Sequence, residues 1–303
     1  MTPTGSRSAV RSAAWPAHPL ARPRDLLALT KPRLSGMVVS TAAAGMWLAP
    51  VRVSAPRAAA FLLGTAMVVG AANVLNNYLE RDVDGRMRRT RDRPLPTGRV
   101  EPGTALAVGL VLPAFAVPLL ALAANPVTAL LAAVALVTYA FVYTPAKRLT
   151  SAALFVGAVP GAIPPLMGWT AATGGVGPQG LALFALLFVW QIPHFLAFSL
   201  DLKEDYARAG LKVFALVHGE RAARLLAVAA SALLVPLGAL PALLGMASRP
   251  TGLAAAALGL ALALAAASGV RLPEGSARWA RNFFLATLLY LVLVFIALFL
   301  GAR

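Results

Sequence analysis

From Asn76 to Asp84 the chain reads Asn-Asn-Tyr-Leu-Glu-Arg-Asp-Val-Asp, and the next nine residues add Arg86, Arg88, Arg89, Arg91 and Arg93. If the preceding apolar run continues as helix, Asn76, Glu80 and Asp84 recur every fourth residue and share one face, roughly 6 Å apart along the axis. Oxygen ligands of this kind suit Mg²⁺, which takes one or two carboxylates and completes its octahedron with waters and phosphate oxygens. The neighbouring arginines would then take the remaining phosphate charge. The plainer alternative is a solvated juxtamembrane loop whose arginines set topology and whose acids offset them.

A second polar cluster closes another apolar run: Trp190-Gln191-Ile192-Pro193-His194-Phe195, then Asp201, Glu204, Asp205 and Tyr206. Glu80 and Asp84 stand four apart, and so do Asp201 and Asp205. Two acidic clusters facing one another in a partly dehydrated cavity repel unless cations lie between them. Mg²⁺ bridging to a diphosphate removes that conflict. Ionisation of an allylic diphosphate needs this pairing of a charged clamp with an apolar pocket that shelters a carbocation.

The elements that must position these groups are membrane helices. With 59% hydrophobic and 13% charged residues among 303, the chain is too apolar for a soluble domain. Nine apolar runs, at roughly 34–48, 58–79, 104–124, 127–142, 152–171, 181–200, 225–246, 252–270 and 283–300, predict an all-α polytopic bundle. With the amino terminus cytoplasmic and the carboxyl terminus outside, 23 of the 27 Lys and Arg fall inside, and all 11 Asp and Glu join them. Acids contribute little to topology, so their segregation calls for a cytoplasmic-facing active site. Helices one to four and five to eight then form two related halves, with the ninth added.

Residues 1–24, rich in Ser, Ala, Pro and Arg without an acid, predict a disordered cytoplasmic tail ahead of a transmembrane domain over 25–303. A targeting segment has a similar composition. In the fifth run, Gly157 and Gly161 with Ala158 and Ala162 predict close helix packing, and Pro160, Pro164 and Pro165 a bend or break. His218 reads as structural. The net charge of +16 sits in short loops rather than on a folded basic face, which points to lipid headgroups and a polyanionic substrate and not to nucleic acid. The absence of cysteine excludes thiolate metal sites and a Cys nucleophile.

The residues Leu29 to Arg33, Asn76 to Asp84, Arg89-Thr90, Arg93-Pro94-Leu95, Tyr143 to Arg148, Gly161 to Trp169, Trp190 to His194 and Asp205-Tyr206 together resemble the haem O synthases, the protoheme IX farnesyltransferases of the intramembrane aromatic prenyltransferase superfamily. The superfamily's first motif has an Asn-Asp pair and further Asp residues three and seven positions on. Here Asn77, Glu80 and Asp84 fill its later places. His194 stands where the second motif's leading Asp belongs.

The resemblance implies that Asn76, Glu80, Asp84, Asp201, Glu204 and Asp205 hold Mg²⁺ and bind farnesyl diphosphate. Arg89, Arg93, Lys147 and Arg148 would clamp its phosphates, with Tyr143 and Tyr206 as hydroxyl donors. The farnesyl cation would be attacked by the 2-vinyl group of haem B, and water would give the hydroxyethylfarnesyl side chain. His194 would ligate iron, bind a propionate, act as a base or simply pack in its helix. The resemblance further implies a bacterial inner membrane in preference to a mitochondrial one, and leaves room for contact with a haem A synthase or a terminal oxidase. A prenyltransferase for a quinone precursor and a transporter of an anionic substrate are the competing readings.

Overall fold

The computed structural model describes residues 21–302, so the expectation for the tail lies almost wholly outside the described residues. A short helix α1 (Pro23–Leu29) precedes α2 (Pro32–Trp47), so the last two residues of the expected tail are already helical. The chain continues through α3 (Ala55–Asp84), α4 (Pro102–Ala123), α5 (Pro126–Val137), a π-helical stretch Thr138–Tyr143 and α6 (Thr144–Leu149). Next come α7 (Ala153–Thr173), α8 (Pro178–Asp201), α9 (Lys203–Ala209) and α10 (Phe214–His218). Three long helices end it: α11 (Glu220–Leu243), α12 (Arg249–Ser268) and α13 (Ala277–Leu300).

Eight helical rods are long and apolar enough to cross a bilayer, with α5, the π stretch and α6 forming one of them. At 16 residues, α2 rises about 24 Å at 1.5 Å per residue and falls short of a ~30 Å hydrocarbon core. Pro stands in the first turn of many of these helices, where its missing N–H costs no bond and its fixed φ favours the turn.

Most of the hydrophobic interior falls into two large clusters. One joins α2, α3, α4 and α5 around Phe61, Val68, Leu120 and Leu136, and the other joins α8, α11, α12 and α13 around Leu186, Leu234, Tyr290 and Leu298. Between them α7 gives Ile163 and Met167 to the first and Ala162 and Trp169 to the second. Its helix runs unbroken through Pro160, Pro164 and Pro165, where a break was one of the expectations. In lipid no water replaces a lost backbone bond, so the ladder is kept wherever the ring can be fitted.

Small residues let α2 and α7 meet backbone to backbone. A methyl group on Gly168 would collide with the carbonyl of Ala42, and one on Gly45 with that of Pro165. Close approach of this kind maximises dispersion where no hydrophobic driving force separates helix from lipid. Leu110, Phe115 and Leu122 on α4 and Leu289, Ile296 and Leu300 on α13 stay exposed, as lipid-facing positions should.

Candidate functional site

Because α3 stays helical through Asp84, the predicted ladder forms. Asn76 Nδ2 donates to Glu80 Oε2 over 2.8 Å, a contact that four-residue spacing on one face allows. All three ladder residues are buried, and so is Asn77. Asn77 serves another purpose: its amide donates to the carbonyls of Leu29 and Asn73 and pins α1 onto α3.

Cations from three separate segments meet this ladder. Arg93 reaches Asp84 Oδ2 at 2.7 Å, and Lys147 from α6 lies 2.5 Å from Glu80 Oε1. Lys31, from the link between α1 and α2, donates to Asn76 Oδ1 over 2.8 Å. Lys31 was not among the residues expected from the sequence. It is the one non-glycine residue with positive φ among the described residues (φ 51°), an uncommon conformation worth tracing to function. Burial, then the charges of Arg93 and Lys147, lower its ammonium to about 7. With Asp84 and Glu80 already opposing Arg93 and Lys147, Lys31 is the cation of this cluster without a carboxylate partner, and an anion would relieve its repulsion from the other two. A signal existed in the sequence, since only four of the 27 basic residues are Lys.

Two carboxylate oxygens, Glu80 Oε1 and Asp84 Oδ1, are buried without a hydrogen-bond donor. Lys147 pairs with the first by charge alone, outside hydrogen-bond geometry. Among the described residues no group of three or more His, Asp or Glu side chains could hold a metal by themselves. The ladder instead offers two carboxylates and an amide. That set fits Mg²⁺, which keeps the remaining positions for phosphate and water oxygens.

The second acidic segment emerges on the same side. Val83 and Met87 pack with Ala209 and Leu211, and with Tyr206 beside them. Lys212 N donates to Lys147 O over 2.9 Å. The hydroxyl of the partly buried Tyr206 is pushed up to about 12, first by desolvation. Asp205 pairs with Arg208. Asp201, Glu204 and Asp205 all line a separate cavity of about 590 Å³ with Lys203, Glu220 and Arg224. Its walls do not include Glu80 or Asp84.

Arg89 crosses the interface, its guanidinium 5.3 Å from the centre of the Phe198 ring. Arg148, expected at the phosphates, instead clasps Asp82 at 2.7 and 3.0 Å and the carbonyl of Leu79 at 2.9 Å. Both side chains are well exposed, so the pair should contribute only ~0–1 kcal/mol. Arg148→Ala is therefore expected to keep turnover within about two-fold and to shift the unfolding midpoint by no more than a few degrees. A hundred-fold loss of turnover, measured on membranes with matched expression, would return Arg148 to the clamp.

Above the charged cluster, toward the middle of the bundle, lies an apolar cavity of about 220 Å³ walled by α2, α3, α5, α7 and α8. Tyr139 and Tyr143, with ring centroids 5.4 Å apart, both line it. They stand in the π-helical turn, where one added residue rotates the following side chains relative to an α-helix. Gly157 lets Tyr143 lie against α7, and Gly161 does the same for Gln191. These glycines, expected to serve packing, also form cavity wall.

Gln191 and Phe195 are the α8 residues on that wall. His194 is not. Its ring stacks between Trp190 and Phe284, each 4.7 Å away, and Nδ1 meets Thr287 Oγ1 at 2.8 Å on the α13 side. His218 behaves as the sequence suggested, bonding Ser151 at 2.9 Å and packing on Phe214.

The UbiA prenyltransferase family model matches residues 38–300. A protoheme IX farnesyltransferase of Anaeromyxobacter dehalogenans (strain 2CP-C) is 60% identical over 284 residues, covering 94% of this chain and 96% of that protein. One of Myxococcus xanthus (strain DK1622) is 49% identical over 274 residues, covering 90% and 93%. Among solved structures, a digeranylgeranylglyceryl phosphate synthase superposes with a TM-score of 0.78 at 16% identity, over 92% of this chain and 97% of that one. A UbiA homolog from Archaeoglobus fulgidus bound to DMAPP and Mg²⁺ gives 0.69 at 21% identity, over 90% and 99%. At such identities these two likenesses establish the fold.

Proposed function

We propose that this chain, which belongs to the UbiA prenyltransferase family and within it to the protoheme IX farnesyltransferases, transfers the farnesyl group of farnesyl diphosphate to the 2-vinyl group of haem B. The observation that carries this reading is the meeting of an amide-carboxylate ladder with Lys31, Arg93 and Lys147 beside an apolar cavity. Opposite charges gathered at one end of an oily pocket suit a molecule with a diphosphate head and a hydrocarbon tail.

In this mechanism Asn76, Glu80 and Asp84 would hold Mg²⁺, and Asp201, Glu204 and Asp205 would complete the clamp from the second acidic segment. The chemistry a bound Mg²⁺ supplies is stabilisation of the charge on the departing diphosphate. Lys31 orients the Asn76 oxygen, and with Lys147 and Arg93 it donates to phosphate oxygens, so the C–O bond breaks with its electrons on the diphosphate. Arg89 closes over the head from the neighbouring loop. Tyr143 and Phe195 wall the pocket in which the allylic cation is kept from premature capture by water. The vinyl carbon attacks C1 of the farnesyl cation, and water then adds hydroxyl to the resulting cation and releases a proton. His194, with Nδ1 taken by Thr287, has Nε2 left for a haem iron or propionate, and Tyr206 offers a hydroxyl that stays protonated.

The same reading takes α2 as a ninth span, with the amino terminus cytoplasmic and the carboxyl terminus outside in a bacterial inner membrane, because the basic loops then fall inside. Asp201, Glu204 and Asp205 line a cavity of their own, so their share in metal binding is tested by substitution. Asp201→Asn is expected to raise the Mg²⁺ concentration for half-maximal turnover several-fold; an unchanged Mg²⁺ dependence would confine the metal to α3. The acceptor is tested by incubating membranes with labelled farnesyl diphosphate, Mg²⁺ and either haem B or an aromatic acid. Label is expected in a haem product heavier by one farnesyl group and one hydroxyl. Label passing only to the aromatic acid would overturn the assignment.

A further inference from the structure

The apolar cavity has a measurable depth and a built floor. On α3 its wall runs from Asn73 to Thr65, eight residues or about 12 Å, and on α7 from Gly157 to Met167, ten residues or about 15 Å. Past Thr65 and Met167, at the end away from the charged cluster, the interior closes. Phe61 and Ala42 pack there with Met167 in one buried cluster, and Thr65 Oγ1 is bonded to the carbonyl of Phe61 at 2.8 Å. The α2–α7 crossing seals the same level, where Gly168 abuts the carbonyl of Ala42. That floor is backbone and fully buried side chain, which cannot yield as a flexible surface residue would.

An extended chain advances about 1.2 Å per bond, as the reach of an extended polypeptide implies. Three isoprene units have eleven bonds from C1 to the far end of the main chain and span about 13 Å; two span about 8 Å and four about 18 Å. The cavity depth of 12 to 15 Å accommodates three units and stops the fourth.

We propose that Met167 and Thr65 form the floor that sets prenyl chain length in this protein, so the site takes a fifteen-carbon donor and excludes a twenty-carbon one. The inference rests on the reading of the cavity as the prenyl pocket given above. Met167 controls depth because it is the α7 wall residue farthest from the charged cluster and is itself buried, and Thr65 because a larger residue at the matching end of the α3 wall would shorten the pocket by about one methylene layer or more.

Two opposite substitutions test this. Met167→Ala removes the barrier, and Thr65→Leu raises it. Each variant and the parent, full-length and in detergent, is equilibrated with labelled farnesyl diphosphate and Mg²⁺, and the label is displaced by geranyl, farnesyl or geranylgeranyl diphosphate. The expected result is a ten-fold or greater shift of preference toward geranylgeranyl diphosphate in Met167→Ala and toward geranyl diphosphate in Thr65→Leu. Preferences unchanged in both variants, with farnesyl diphosphate still bound, would overturn the proposal. Binding needs no acceptor, so a parent protein that binds farnesyl diphosphate but transfers nothing to haem would fault the acceptor assignment while the preference ratios still judge the floor. Should Met167→Ala fail to fold, Met167→Val makes the same comparison with a smaller opening.

Discussion

Asp84→Asn is expected to lower turnover by about two to three orders of magnitude, the equivalent of roughly 3–4 kcal/mol of transition-state stabilisation. The substitution keeps shape and an oxygen toward Arg93, which Asp84 meets at 2.7 Å. What it removes is a full negative charge next to an oxygen that no protein donor satisfies. Glu80→Gln should act in the same direction and also release Lys147 from its ion pair. The check is kcat at saturating farnesyl diphosphate and haem across a Mg²⁺ titration, with expression and unfolding midpoint measured alongside. If Asp84→Asn turned over at near the parental rate, the α3 ladder would not be the metal-binding group.

Lys31→Met is expected to weaken farnesyl diphosphate binding by about ten- to a hundred-fold, because a charge-assisted hydrogen bond from a buried ammonium contributes roughly 1.5–3 kcal/mol. The fold should tolerate the change. Lys31 is wedged between Arg93 and Lys147 in a desolvated setting, so removing its charge relieves repulsion in the free protein, and methionine fills a similar volume. Lys31→Arg should restore much of the affinity, since it returns the charge with a different reach. Displacement of labelled farnesyl diphosphate measures the effect directly, and haem affinity provides the contrast. An unchanged diphosphate affinity in Lys31→Met would show that the ammonium serves only to orient Asn76.

The two variants separate two parts of one machine. Loss of Asp84 should fall mainly on kcat, and loss of Lys31 mainly on the diphosphate affinity. A protein in which both fell equally on stability would instead be one whose polar cluster merely holds helices together.

Several features of the site are local in sequence and were legible there. The Asn76–Glu80–Asp84 spacing places three groups on one helical face whatever surrounds the helix, because 3.6 residues per turn is a property of the backbone. Hydropathy marks the rods that lipid can accept, and the placement of Lys and Arg predicts that the Asp84 and Asp205 segments share a side. The contacts of Val83 and Met87 with Ala209 and Leu211 agree with that expectation.

Other features depend on how rods are rotated and seated against one another, and no spacing rule reports that. Lys31 reaches a residue 45 positions away, by way of a left-handed turn just before Pro32. Arg148 adjoins Lys147 in sequence, yet one residue of helix turns it outward onto Asp82 while Lys147 faces Glu80. His194 follows three residues after Gln191, and packing against α13 sends it to Thr287 while Gln191 borders the cavity. The π-helical turn that brings Tyr139 and Tyr143 to one wall has no signature in residue spacing. The sequence alone determined that the Asn76–Glu80–Asp84 ladder shares one helical face and which runs form membrane helices, because helical periodicity and lipid solubility act locally. The tertiary structure decided which of them meet, how deep the pocket is and what closes it, because these follow from close packing between helices far apart in the chain.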